Sequence, residues 1–174
     1  ANHPLWGGRT LYSLYEEAHT PWEWHKELFD LAHTLGIGIF SSPFDFSAVD
    51  FLEDLKTPLY KIASLETGDI PLIRYIAQTG KPIIISSGMS SYEELDTSIS
   101  FLREKNVPFS ILQCTTSYPT QPKQYGFNVI QELKNRYNVV VGFSDHSAKV
   151  ATNVAAVALG AEILEFHVVF DRKM

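Results

Sequence analysis

Two histidines in this chain stand just behind apolar runs. His146 follows "VVVGFSD" (139–145), and His167 lies in "EILEFHVVF" (162–170), twenty-one residues later. Two neutral imidazole nitrogens suit a divalent ion, with water or substrate oxygens completing the shell. If the two runs are neighbouring strands, they lie about 4.8 Å apart and both rings can aim at one point above a sheet. A lone histidine is more often a hydrogen-bonded core or surface residue. Two at successive strand ends, one preceded by Ser144 and Asp145, bring the two readings level. Ser144-Asp145-His146 is not a hydrolase triad, because three consecutive side chains do not converge as a triad requires. Strand parity sets Glu165 aside as a residue that need not be a ligand.

The other apolar runs also end in polar groups: Ser41 and Ser42; Lys61, Ser64 and Glu66; Ser86 and Ser87; Thr115, Thr116 and Tyr118. In parallel α/β proteins sites form at the carboxyl ends of strands. Any single Ser or Thr there is as well explained by capping the next helix. Lys61, Glu66 and His167 fit that explanation poorly, since a titratable side chain in or beside a buried strand is costly unless paired or used. Lys61 has two chemical readings. It can form a Schiff base, or it can hold a phosphate or carboxylate as a fixed cation. Ser42, Ser64, Ser86 and Ser144 on the same rim favour the second, and a Schiff-base enzyme has no need of the histidine pair. His19, His25 and His33 flank or lie on a helix. The "EEAH" spacing (16–19) resembles a ligand motif, but helix solvation explains it better.

The elements that must position these groups are legible. Short β-rich runs recur: "GIGIFSS" (36–42), "LYKIAS" (59–64), "PIIISSG" (82–88), "PFSILQCTT" (108–116), "VVVGFSD" (139–145) and "EILEFHVV" (162–169). They are continuous rather than alternating, as parallel strands covered on both faces require. Helical segments lie between them. In "TPWEWHKELFDLAHTLG" Thr20 is the expected N-cap, Pro21 the first helical residue and Glu23 the partner in a capping box. Trp24, Leu28, Leu31 and Leu35 form its expected apolar stripe, and Gly36 stops it. "SSYEELDTSISFLREKN" offers Ser90 and Glu93 as a second box. A further short helix is expected from Leu11 to Ala18. Six βα units alternating along the chain predict an α/β fold with a parallel sheet.

Composition sets the outer bounds. The chain has 174 residues, 45% hydrophobic and 20% charged, enough for one domain with a real core. A net charge of −6 and the lack of a basic run argue against nucleic-acid binding. No apolar stretch is long enough to span a bilayer. The opening "ANHPLWGGRT" lacks the basic and apolar segments of a signal peptide. The one cysteine, Cys114, forms no internal disulfide and fits a reducing cytoplasm.

Several stretches, in order, carry a family resemblance: "GRTLYSLYEEAHTPWEWHKELFDLAHTLGIGIFSSPFD", "YKIASLETGDIPLI", "GKPIIISSGMSS", "LQCTTSYPT", "VGFSDHS" and "ALGAEILEFHVVFDRKM". Together they cover essentially the whole chain. They resemble the bacterial sialic acid synthases, which include N-acetylneuraminate, legionaminate and pseudaminate synthases. The resemblance implies a TIM (β/α)8 barrel, here partial, with the six units matching strands three to eight. It implies a single barrel domain over 1–174, without the first two strands and the C-terminal antifreeze-like domain. Such a fragment is expected to be inactive alone, while the full-length enzyme works as a homodimer in the cytoplasm.

The implied reaction condenses phosphoenolpyruvate with an N-acylated hexosamine to give a nine-carbon 2-keto sugar acid and phosphate. The acceptor is N-acetylmannosamine or a 2,4-diacetamido trideoxyhexose, and the amino-terminal segment leans toward members acting on the modified sugars. Carried over by residue, the resemblance makes His146 and His167 ligands of a divalent ion, Mn2+ first, with Mg2+ or Co2+ as alternatives. Ser42, Lys61, Ser64, Ser86 and Ser144 hold phosphoenolpyruvate, and Thr116, where some members have Asn, also contacts it. Glu66 contacts the reacting end of the sugar, and Tyr118 lines the site. Two other readings stay open: a Schiff-base aldolase or lyase acting through Lys61, and a non-catalytic sugar-binding barrel.

Overall fold

The computed structural model describes Gly8 and residues 10–171. The loop reading of residues 1–7 and 9, and the last three residues of the final family-like stretch, lie outside them. The chain forms two compact units, Ala1–Ile39 and Phe40–Met174.

Among its described residues the first unit holds two helices. α1 (Leu11–Ala18) falls where the sequence predicts it, and Thr10 caps it by accepting a bond from the Ser13 amide. α2 (Trp22–Leu35) ends at Gly36, whose φ of 68° is the left-handed conformation a glycine stop supplies. Its start differs from expectation. Pro21 is the cap, in an extended conformation, and makes no side-chain bond, so the Thr20–Glu23 box does not form. The predicted stripe is also rotated. Trp24, Leu28, Leu31 and Leu35 are exposed, while Phe29 and Ala32 are buried. One step along a helix turns the face by roughly 100°, so a shift from Leu28 to Phe29 redefines the buried side.

The second unit is built on five parallel strands paired in chain order: β1 (Tyr60–Ile62), β2 (Ile83–Ser86), β3 (Phe109–Cys114), β4 (Val141–Asp145) and β5 (Leu164–Phe166). Helix α3 (Phe46–Asp54) precedes β1. Helices α4 (Ile70–Ala77), α5 (Tyr92–Glu104), α6 (Phe127–Tyr137) and α7 (Val150–Ala158) occupy the crossovers. This is the sheet of a partial (β/α)8 barrel. The expected strand at 36–42 is reduced to one bridge, Ser41 to Tyr60, where the Ser41 carbonyl accepts the Lys61 amide. Gly36 and Gly38 are the physical reason, because glycine weakens a strand and brings no side chain to pack.

Strand alternation divides the sheet residues into two sets. Tyr60, Ile62, Ile83, Ile85, Ile111, Val141 and Phe143 are buried beneath the helices. The Tyr60 hydroxyl reaches the Val49 carbonyl of α3, and the Phe143 ring meets Phe127 of α6. Each fully buried Ile contributes about 1.5–3 kcal/mol by leaving water. The alternate residues, Lys61, Ser86, Cys114, Ser144 and Glu165, share the other face through the register Ser86–Leu112, Cys114–Ser144 and Ser144–Glu165.

Local signals fix the helix starts. Asp69 accepts the Leu72 amide to cap α4. The box on α5 is Ser91 with Glu94, one residue later than the predicted Ser90–Glu93. Met89 takes a left-handed φ of 63° and Ser90 donates back to the Ser87 carbonyl, so Ser90 still belongs to the turn. Among the described residues no helix is long and apolar enough to cross a membrane.

Candidate active site

The carboxyl ends of the strands gather three groups of polar side chains. The first surrounds Lys61 on β1. Its ammonium is buried and donates to Ser86 Oγ on β2 at 2.7 Å and to the Ile62 carbonyl at 3.2 Å. Glu165 Oε2 on β5 lies 3.6 Å from it, and Glu165 Oε1 accepts the Ser144 hydroxyl of β4 at 2.7 Å. Burial pushes the Lys61 ammonium below its usual range, and the Glu165 carboxylate opposes that push.

The second group lies around Gly88, just past β2. A Cβ at this position would sit 2.6 Å from Thr116 Oγ1 and 2.7 Å from Ser64 Oγ, so the missing side chain is what lets two hydroxyls converge. Thr116 Oγ1 is buried and has no hydrogen-bond partner, and Glu66 Oε2 is in the same condition. Glu66 stands in the short 3-10 helix Ser64–Gly68 that follows β1. Burial raises its carboxyl above the usual range, over the lowering effect of a backbone bond and of Lys61. An orphaned buried polar atom costs about 1–3 kcal/mol, so each of these atoms suits a polar ligand.

The third group is the histidine pair. β4 and β5 are neighbours, which was the condition for the two rings to meet, and the rings of His146 and His167 are 5.2 Å apart, edge to face. His146 Nδ1 lies 3.0 Å from the Thr115 carbonyl. A carbonyl only accepts, so Nδ1 carries the proton and the Nε2 lone pair is left for a ligand. Tyr118 lies against the His146 ring at 4.2 Å and near His167 at 5.9 Å. Thr120 donates its amide to the His146 carbonyl and its hydroxyl to Ser117. The loop after β3 is thereby fastened to the strand end that carries His146. Among the described residues no group of three or more His, Cys, Asp and Glu side chains is placed to hold a metal ion. The pair offers an ion two nitrogens, which water or substrate oxygens could complete.

The predicted site residues thus fall into place unevenly. Lys61 and Ser86 are hydrogen-bonded to each other, Ser64 and Thr116 meet at Gly88, and the rings of His146, Tyr118 and His167 pack together. Ser144 joins Lys61 only through Glu165. Ser42 lies one residue past the bridge at Ser41, beside β1. Glu165 is a site residue that the sequence reading, which asked only whether it was a ligand, left unassigned. Residues 165 and 167 are two apart and share a face in extended chain, so Glu165 points into the site. That i, i+2 spacing was the available signal. Asp145 turns the other way. Its carboxylate accepts the Ser147 amide and the Asn153 side chain of α7, both at 2.8 Å, and serves the fold. His19 lies with Nδ1 2.8 Å from the Glu16 carbonyl of its own helix, as the helix-solvation reading expects.

Comparison with known proteins bears on the family and the fold. The chain is 41% identical over 171 residues to the pseudaminic acid synthase of Helicobacter pylori, covering 98% of this chain and 50% of that protein. It is 38% identical over 149 residues to the N-acetylneuraminate-9-phosphate synthase of Mus musculus, covering 85% of this chain and 42% of that protein. The chain spans about half the length of the curated relatives it matches. Its fold superposes with a TM-score of 0.90 on the N-acetylneuraminic acid synthetase of Leptospira borgpetersenii in complex with citrate, at 32% identity, covering 96% of this chain and 59% of that one. The NeuB family model matches residues 1–174, and the chain belongs to the NeuB family of sialic-acid-type synthases.

Proposed function

We propose that this chain forms the phosphoenolpyruvate-binding and metal-binding part of a synthase. The reaction joins phosphoenolpyruvate to an N-acylated hexosamine with water, giving a nine-carbon 2-keto sugar acid and phosphate. One observation carries the reading. A buried lysine bonded to a serine, and a pair of histidines with one ring nitrogen left open, stand at the same end of one curved sheet. A binding-only barrel has no need of both.

In this reading Lys61 donates to an anionic oxygen of phosphoenolpyruvate, and the serines about it orient the enol so that its C3 faces the sugar aldehyde. Ser64 and Thr116 supply hydroxyls around the small space left by Gly88. A bond forms from C3 to the aldehyde carbon, water adds at C2, and phosphate leaves with cleavage of its C–O bond. Glu66 orients a sugar hydroxyl or carries a proton, a role suited to a carboxyl held above its ordinary range. His146 and His167 would hold a divalent ion, Mn2+ first, which when bound supplies Lewis-acid polarisation of the aldehyde. Tyr118 keeps the His146 ring in place and walls the site beside it. The acceptor we favour is a 2,4-diacetamido trideoxyhexose, on the strength of the likeness to a pseudaminic acid synthase.

The test is phosphate release from phosphoenolpyruvate by the whole protein, with Mn2+ or with EDTA, against N-acetylmannosamine and the diacetamido sugars separately. Metal-dependent release with a diacetamido sugar is expected. Borohydride trapping of a keto acid on Lys61, without such release, would replace this reading with a Schiff-base lyase.

A further inference from the structure

Glu165 belongs to none of the roles above, yet it touches two of the groups that bind the anion in them. Ser144 has one hydroxyl hydrogen, and it is donated to Glu165 Oε1. A serine so engaged cannot donate to a substrate oxygen. Lys61 is buried, and two of its ammonium hydrogens go to Ser86 Oγ and the Ile62 carbonyl, both uncharged. The negative charge beside it is Glu165 Oε2, at 3.6 Å. That is too long for a good hydrogen bond but close enough for a strong Coulomb attraction. Glu165 therefore stands to Lys61 and Ser144 as a bound anion would. Two negative groups held against one buried ammonium would repel each other.

We propose that Glu165 is a positioning residue that acts as a built-in stand-in for the substrate anion: it neutralises Lys61 and engages the Ser144 hydroxyl in the empty site, and must yield both when an anion binds. The idea rests on the phosphoenolpyruvate reading given above. It assigns Glu165 a cost in anion affinity in exchange for a stable empty site. A purely architectural glutamate would have the opposite effect, because removing it would loosen the site and weaken binding.

The test measures binding of phosphoenolpyruvate and of inorganic phosphate, by titration calorimetry, to the wild-type chain and to Glu165→Gln. The amide keeps an acceptor for Ser144 and removes the charge. We expect about tenfold tighter binding of both anions to the variant, with a lower melting temperature in their absence and a larger anion-induced rise. Equal or weaker binding by the variant overturns the proposal while leaving the phosphoenolpyruvate reading intact. Failure of the wild-type chain and the variant alike to bind either anion overturns both. Should Glu165→Gln not fold, a structure of the wild-type chain with phosphoenolpyruvate decides the matter. Ser144 Oγ is expected to donate to the ligand, and a retained Ser144–Glu165 bond would overturn the stand-in role.

Discussion

Lys61 on the first strand of the sheet and Glu165 on the last approach within 3.6 Å. Four strand-to-strand steps of about 4.8 Å would set them some 19 Å apart in a flat sheet, beyond the combined reach of the two side chains. The contact therefore measures the curvature of the sheet, and the curve is what makes side chains from every strand converge. It also decides the sign of a substitution. Lys61→Met removes a buried charge, while its partner Glu165 keeps 38% of its side chain exposed and can be solvated. Loss of Lys61 should leave the melting temperature unchanged or raised, against the usual penalty for breaking a buried pair. Phosphoenolpyruvate binding should fall about a hundredfold, as loss of a charged hydrogen bond implies. Thermal melts and calorimetry on one preparation check both halves.

Gly88→Ala places a methyl group 2.6 Å from Thr116 Oγ1 and 2.7 Å from Ser64 Oγ. Its backbone is not in the left-handed region, so the change is one of space alone. The two hydroxyls must swing apart, and we expect a folded protein whose phosphoenolpyruvate affinity falls about tenfold, equivalent to one misplaced hydrogen bond. An unaltered affinity would remove Ser64 and Thr116 from the anion site.

The histidine pair makes a graded prediction. His146→Ala and His167→Ala should each abolish Mn2+ binding measured by electron paramagnetic resonance, because either change leaves a single nitrogen. Tyr118→Ala keeps both nitrogens but loses the ring lying 4.2 Å from His146. An aromatic contact of this kind is worth about 0.5–1.5 kcal/mol, so Mn2+ affinity should weaken by no more than about tenfold.

Glu66 gives the protein a pH-dependent stability. Its carboxyl is raised from 4.5, chiefly by burial, so the folded state holds this proton more tightly than the unfolded chain does. The stability contributed by the neutral acid is present below 4.5 and is lost as pH rises through the folded value. Glu66→Gln cannot ionise and keeps that stability. Urea denaturation should show the variant more stable than wild type at pH 8, with the difference vanishing at pH 4. A constant difference across that range would exclude Glu66 as its source.

The strands were legible because β-rich apolar runs such as Ile83–Ile85 and Phe109–Leu112 recur between helical segments, with polar residues mostly toward their carboxyl ends. The run at 36–42 misled because its aliphatic residues are interrupted by Gly36 and Gly38, and only the Ser41 carbonyl pairs. The stripe Trp24, Leu28, Leu31 and Leu35 has perfect helical spacing and is nonetheless exposed. Periodicity shows that a helix has an apolar face and does not show which face is covered. Lys61, Ser86 and the two histidines could be found because charged or hydroxyl groups ending apolar runs need an explanation. Glu165 was passed over although its spacing to His167 placed it on the same side. Gly88 carries no chemistry of its own, and its importance appears only when the atoms that would collide with a side chain are known.

The alternation of residues along the strands also has a consequence for substitution. Tyr60, Ile62, Ile85 and Phe143 answer to the helices, whereas Lys61, Ser86 and Ser144, their immediate chain neighbours, answer to whatever lies on the other side. Adjacent positions in the chain thus answer to separate demands, one set to folding and the other to chemistry. A substitution on the chemical side leaves the packing between sheet and helices untouched.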